Sequence, residues 1–330
     1  MLRVMLLILP AVVGALLTPI AADAQVVARD DDAALADDPL KYAGPPRKQD
    51  EVYRISTRHL SEPEDGRPFE LELHRWSESD AWEAISLEAF ASDQNAQRLT
   101  LIYVHGYSFD EEKADRTGWA FYHAVCDDPA LDRPVRYVFW SWPTTQKRFR
   151  PTRDLADKAQ RADVDAFYLA WLLSQLDENE PVCVVGSSLG CRVVQGMLHL
   201  AGGGKIGDWT LGARRTELPA KLSAAYISAC VHNYWLKDGE FHEKAIAGVD
   251  RLLLINNSVD SMLFRYGKVW RSNPVALGLD GVPDAVKLGT KEDRILQYDA
   301  HEEIGDRHGV EHYLRNESVV DRLRAFATAE

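Results

Sequence analysis

From residue 99 onward the chain alternates short apolar runs with longer amphipathic stretches, and this alternation narrows the fold more than any other feature. The runs at 100–104, 135–140, 182–185, 222–229, 251–255 and 295–298 are rich in apolar residues, most of them on both faces. A strand of that kind needs helices on each side of its sheet. Between the runs, 112–125, 154–176, 189–200, 240–247 and 259–269 space their apolar residues as helices do, and a last helix is predicted over 317–328. The pattern therefore predicts α/β class, a mostly parallel central sheet with helices on both faces. Upstream, 52–58 and 69–75 alternate around Glu62-Pro63-Glu64-Asp65-Gly66, which predicts an N-terminal antiparallel hairpin at a sheet edge.

The N-terminus follows other rules. Residues 1–24 carry Arg3, run apolar from Val4 to Leu17 and end in Ala22-Asp23-Ala24, a small-x-small cleavage pattern before Gln25. This reads as a secretory signal peptide, so a periplasmic or secreted protein is expected, with no integral membrane span in the mature chain. An uncleaved anchor is the weaker reading, since Pro10 and Gly14 interrupt a stretch barely as long as the ~20 apolar residues a span requires. Residues 25–50 are acidic, with no apolar periodicity, and are expected to be a flexible linker ahead of one domain over 51–330. Lys+Arg 38 against Asp+Glu 51 gives a net charge of −13, which argues against a nucleic-acid partner. Export permits disulfides, but Cys126, Cys183, Cys191 and Cys230 are too few for a scaffold. Cys183 and Cys230 fall in apolar runs, where a thiol serves as a small hydrophobe.

Chemistry concentrates where the run at 182–185 meets the next helix. Gly186-Ser187-Ser188-Leu189-Gly190 spells GxSxG between strand and helix, the setting of a nucleophile elbow. The glycines permit a turn too tight for a Cβ, and Ser188 is lifted above the sheet at a helix N-terminus, where free N–H groups favour developing negative charge. A second strand, 100–104, runs into His105-Gly106-Tyr107-Ser108. There Gly106 lets the backbone approach a substrate oxygen, so the N–H groups of Tyr107 and Leu189 are candidate oxyanion donors. His105 is expected to fix the loop by packing.

These residues resemble the α/β-hydrolase superfamily over nearly the whole mature chain. The stretches Tyr103-Val-His-Gly106, Arg136-Tyr-Val-Phe-Trp-Ser-Trp-Pro143, Val184-Val-Gly-Ser-Ser-Leu-Gly190 and Asn256-Asn-Ser-Val-Asp260 are similar to a group of bacterial α/β-hydrolases with an F/W-S-W-P segment after the fourth strand. The resemblance implies an α/β-hydrolase fold and its machinery, but no particular substrate. Ser187 departs from the aromatic residue the family often places before its nucleophile.

The superfamily's chain order of nucleophile, acid and histidine implies that Asp260, just beyond the strand at 251–255, is the acid. Asp250 precedes that strand and falls at its wrong end. After the last strand come His301, His308 and His312. His308, between Gly305 and Gly309, is the expected base, and His312 is the alternative base.

Other motifs compete for attention. His308-Gly309-Val310-Glu311-His312 spells HxxEH and could belong to a zinc hydrolase, but Gly309 weakens the helix such a site needs. Residues 202–207 spell GxGxxG after a helix rather than a strand, the wrong context for a dinucleotide. Lys147, Arg148, Arg150 and Arg153 could form a positive rim or merely a solvated loop. The expectation is an exported serine hydrolase that needs no cofactor and acts on a small-molecule ester, with oligomeric state open. A non-catalytic binding protein on the same fold is the rival class.

Overall fold

In the computed structural model, residues 44–64, 69–77, 79, 81–92, 97–146, 151–283 and 293–329 are described. Among these described residues nine strands form one sheet: β1 (Glu51–Ser56), β2 (Glu72–Trp76), β3 (Trp82–Ile85), β4 (Leu99–Val104), β5 (Val135–Ser141), β6 (Val182–Ser187), β7 (Leu222–Ile227), β8 (Arg251–Asn256) and β9 (Ile295–Asp299). Their order across the sheet is β3-β2-β1-β5-β4-β6-β7-β8-β9. Only β2 runs against the others, pairing antiparallel with both β1 and β3.

Strand periodicity sorts the core into two layers. Along β4, Leu101 and Tyr103 point to one side and Ile102 and Val104 to the other. The first side is covered by α2 (Glu111–Val125), α8 (Val310–Leu314) and α9 (Glu317–Thr328), through residues such as Phe121, Tyr313 and Leu323. The second is covered by α3 (Pro151–Leu173) and α4 (Gly190–Ala201), through Leu169, Val193 and Met197. Both faces being covered explains why β4 to β8 read as continuous apolar runs. This is the α/β-hydrolase fold, and its parallel strands deliver their C-terminal ends, with the turns that follow them, to one edge.

The hairpin of β1 and β2 forms as predicted, but β1 is not at the edge. It pairs parallel with β5 as well, and β3 takes the outer position. Short helices α1 (Leu87–Ser92), α5 (Leu263–Tyr266), α6 (Leu277–Asp280) and α7 (His301–Ile304) hold too few residues to show a helical period. Two predicted helices are mostly turns. Over 240–247 the backbone bonds at three-residue spacing and ends in a 3-10 turn at Ala245–Gly248. Over 259–269 the Asp260 carboxylate takes the N–H groups of Met262 and Leu263, so α5 starts only at Leu263, and the chain tightens to a 3-10 turn at Gly267–Val269.

The linker expectation does not hold for its last residues. Arg47 donates to the Leu131 and Arg133 carbonyls and pairs with Asp50 at 2.8 Å, while its backbone N–H reaches Tyr122 Oη. The rest of that stretch, 25–43, and the signal peptide over 1–24 lie outside the described residues. Among the described residues no helix is long and apolar enough to cross a membrane.

Candidate active site

β6 ends at Ser187, and Ser188 turns into the left-handed region at φ 51°. A serine tolerates that conformation only when its surroundings hold it there. Here the Ser188 N–H is tied to the Ile227 carbonyl of β7 at 2.9 Å, and Cys191 N–H to the Ser188 carbonyl at 3.1 Å. The glycines answer to close approach: a Cβ on Gly190 would stand 2.3 Å from the Val104 carbonyl oxygen, and one on Gly186 2.8 Å from Cys191 Cα. Without them α4 could not start against the end of β4.

Three expected residues converge on this turn. Ser188 Oγ lies 2.8 Å from His308 Nε2, and His308 Nδ1 lies 2.7 Å from Asp260 Oδ2. Asp260 is fully buried beyond β8, and its other oxygen accepts from Met262 N–H at 2.9 Å and Leu263 N–H at 3.0 Å. The His308 loop is pinned by buried Asn257, whose amide donates to the Gly305 and Arg307 carbonyls. Burial opposes the charged forms of both groups, yet their mutual attraction and hydrogen bond outweigh it. The imidazole pKa is raised well above its usual value and that of the Asp260 carboxyl is lowered.

Facing Ser188 is the turn after β4. A Cβ on Gly106 would stand 3.0 Å from Ser188 Cβ, so this backbone lies directly against the serine. Among the described residues, the Tyr107 and Leu189 N–H groups donate to no protein acceptor. Tyr107 Oη donates to buried Asp154 of α3 at 2.7 Å, which fixes its loop. His105 packs as expected. Its ring stacks on Phe109 and Trp142, its Nδ1 bonds the Gly106 carbonyl, and its Nε2 accepts the Trp142 N–H. Burial lowers its pKa to about 3, so the ring is neutral.

The remaining candidates stand elsewhere. His312 lies beside Glu311 and Arg307, and His301 pairs with Asp299 at 3.2 Å; neither reaches Ser188. Among the described residues no group of three or more His, Cys, Asp or Glu side chains is placed to hold a metal ion. The GxGxxG letters fall in the turn after α4, where His199 accepts the Lys205 N–H. Of the basic cluster only exposed Arg153 is described.

Two residues at the site were not anticipated. Strand register pairs Ser187 with Ile227, so Ser228 occupies on β7 the position Ser188 occupies on β6, and it also has φ 51°. Its Oγ donates to Asp260 Oδ2 at 2.6 Å and lies 3.0 Å from His308 Nδ1. Cys230, expected in a buried strand, lies past the end of β7 instead, with Sγ 3.3 Å from Ser188 Oγ. The early end of β7 follows from Ser228, whose left-handed turn breaks the strand predicted to reach 229. All four cysteines are free thiols, and Cys183 is buried in β6 as expected.

No family model matches the chain, and no curated protein matches it by sequence. Solved structures similar to it include the lin2722 product of Listeria innocua, at 9% identity over 71% of this chain and 95% of that one, with TM-score 0.39. Esterase B of Lactobacillus rhamnosis is similar in an inhibited form at 13% identity over 90% of each chain, with TM-score 0.41. A second structure of that esterase gives 13% identity over 89% of this chain and 91% of that one, with TM-score 0.38. At such scores the fold rests on its own topology, and the site on its own geometry.

Proposed function

We propose that this chain is an exported serine hydrolase that transfers acyl groups from carboxylic esters to water. The observation that carries the reading is the continuous path from Ser188 Oγ through His308 to buried Asp260, at 2.8 and 2.7 Å. In this mechanism His308 Nε2 takes the hydroxyl proton as Ser188 Oγ attacks the ester carbonyl. The Asp260 carboxylate stabilises the imidazolium, and the N–H groups of Tyr107 and Leu189 hold the carbonyl oxygen as it becomes negative. Collapse of the tetrahedral adduct expels the alcohol, which receives the proton from His308. Water then attacks the acyl-Ser188 ester with His308 again as base, releasing the acid and restoring the serine. Every group in this account belongs to the chain.

The rival reading, a binding protein without turnover, makes the opposite prediction for a fluorophosphonate probe. Fast labelling of the wild-type protein, lost in Ser188→Ala, supports the hydrolase, and absence of labelling in the folded wild type sinks it. Nitrophenyl esters of graded chain length then define the acyl group accepted. Export is tested separately: the mass of protein recovered outside the cytoplasm should correspond to a chain that begins at Gln25.

A further inference from the structure

Ser188 and Ser228 sit in equivalent left-handed turns at the ends of adjacent strands, one facing the expected nucleophile's partner and the other the acid. Ser228 N–H is tied to the Ile255 carbonyl of β8 at 3.0 Å, as Ser188 N–H is tied to Ile227. The turn is therefore braced by the next strand, and its hydroxyl is aimed where the carboxylate of Asp260 meets the imidazole of His308. A buried serine at a strained φ needs a reason, since glycine would make the same turn without a Cβ penalty.

We infer that Ser228 is a positioning residue, a fourth member of the relay that fixes Asp260 Oδ2 and moderates its grip on the His308 proton. This rests on the hydrolase reading. With Nδ1–H of His308 donating to Oδ2, the Ser228 hydroxyl gives that oxygen a second donor at 2.6 Å. The carboxylate then holds its lone pair against rotation and shares its charge between two hydrogen bonds. The contact of Ser228 Oγ with His308 Nδ1 at 3.0 Å is secondary, because that N–H is already committed to Oδ2. The bond to the anionic oxygen, charge-assisted and short, decides the sign. Without it Asp260 attracts the imidazolium proton more strongly, so His308 releases its proton at higher pH.

The other groups facing this pair are Ser188 and Cys230 from the turns after β6 and β7, and Tyr313 from α8, with Asn257 holding the histidine's loop. None of them supplies a second hydroxyl to Oδ2 among the described residues. Among the described residues, Ser228 alone gives this oxygen a hydroxyl.

The test uses Ser228→Gly, which removes the hydroxyl while suiting the positive φ, with Ser228→Ala as the companion that keeps the Cβ. Both should lower kcat/KM at its plateau by about tenfold, mostly in kcat, and move the acidic limb of the pH profile upward by about half a unit or more. The glycine variant should still unfold cooperatively, so that its loss of turnover is not a loss of fold. A glycine variant with wild-type turnover and an unmoved limb, or a limb moved downward, overturns the role and leaves Ser228 a turn residue. Titration of His308 by NMR gives the same shift without any turnover. An upward shift there in a protein that hydrolyses no ester would separate failure of the hydrolase reading from failure of this one.

Discussion

At the scale of single residues, the two adjacent serines of the elbow face different surroundings. Ser187 Oγ is buried against Tyr103 Oη at 2.9 Å, whereas Ser188 Oγ meets His308. Ser187→Ala should therefore retain most ester turnover, at a stability cost of ~1–3 kcal/mol for the buried tyrosine hydroxyl left without its partner. Ser188→Ala should abolish turnover with the fold intact, and equal loss of activity from both would undo the assignment. The histidines divide similarly: His308→Ala should collapse activity while His312→Ala costs under about tenfold, measured as kcat/KM on a nitrophenyl ester. Treatment with a chelator should leave both results unchanged. The sequence placed Ser188 by its motif alone, because a GxSxG turn dictates its own conformation. Ser228 carries no such motif, and its role depends on which strand lies beside β6, a fact of register that local letters do not hold.

At the scale of elements, β4, β6 and β8 were legible because each is apolar on both faces, and the ends of these strands supply the loops of the site. The stretches that failed are those where side chains capture backbone groups. The Asp260 carboxylate stops a helix from forming over 259–262, and around 239–244 the Glu243 carboxylate takes the Gly239 N–H and His199 Nδ1 the Lys244 N–H, although the apolar spacing there resembles a helix. The same rule makes the β4 turn sensitive. A valine at Gly106 would press its Cβ onto Ser188 and displace the Tyr107 N–H, so Gly106→Val should lower kcat by on the order of 10²–10³, with a smaller change in KM. Steady-state kinetics on one ester decides it: an unchanged kcat removes Tyr107 from the oxyanion site.

At the scale of the whole molecule, opposed titrations set where the fold is most stable. Burial lowers the pKa of His105 to about 3 and of His232 to about 4, and that of His242 lies well below its usual value. In the unfolded chain all three protonate near pH 6.5, so as pH falls below that value the unfolded state binds protons the native state refuses, and stability drops. His308 works in the other sense. Its native pKa is raised by Asp260, so its contribution is complete below about pH 6.5, the unfolded value, and is lost as pH rises through the native one. The lowered pKa of Asp260 adds stability that is complete above about pH 4, its unfolded value, and is lost as pH falls through the native one. From these histidines, stability falls on both sides of about pH 6.5. Urea unfolding midpoints measured from about pH 4 to 8, below the range where the buried thiols of Cys126, Cys183 and Cys191, their pKa values raised by burial, add an alkaline decline of their own, should trace it, and in His308→Ala the decline above about pH 6.5 should flatten while the acid decline persists. If the alkaline decline survives that substitution, some other group carries it, and the charged pairing of His308 with Asp260 is not what the native state protects.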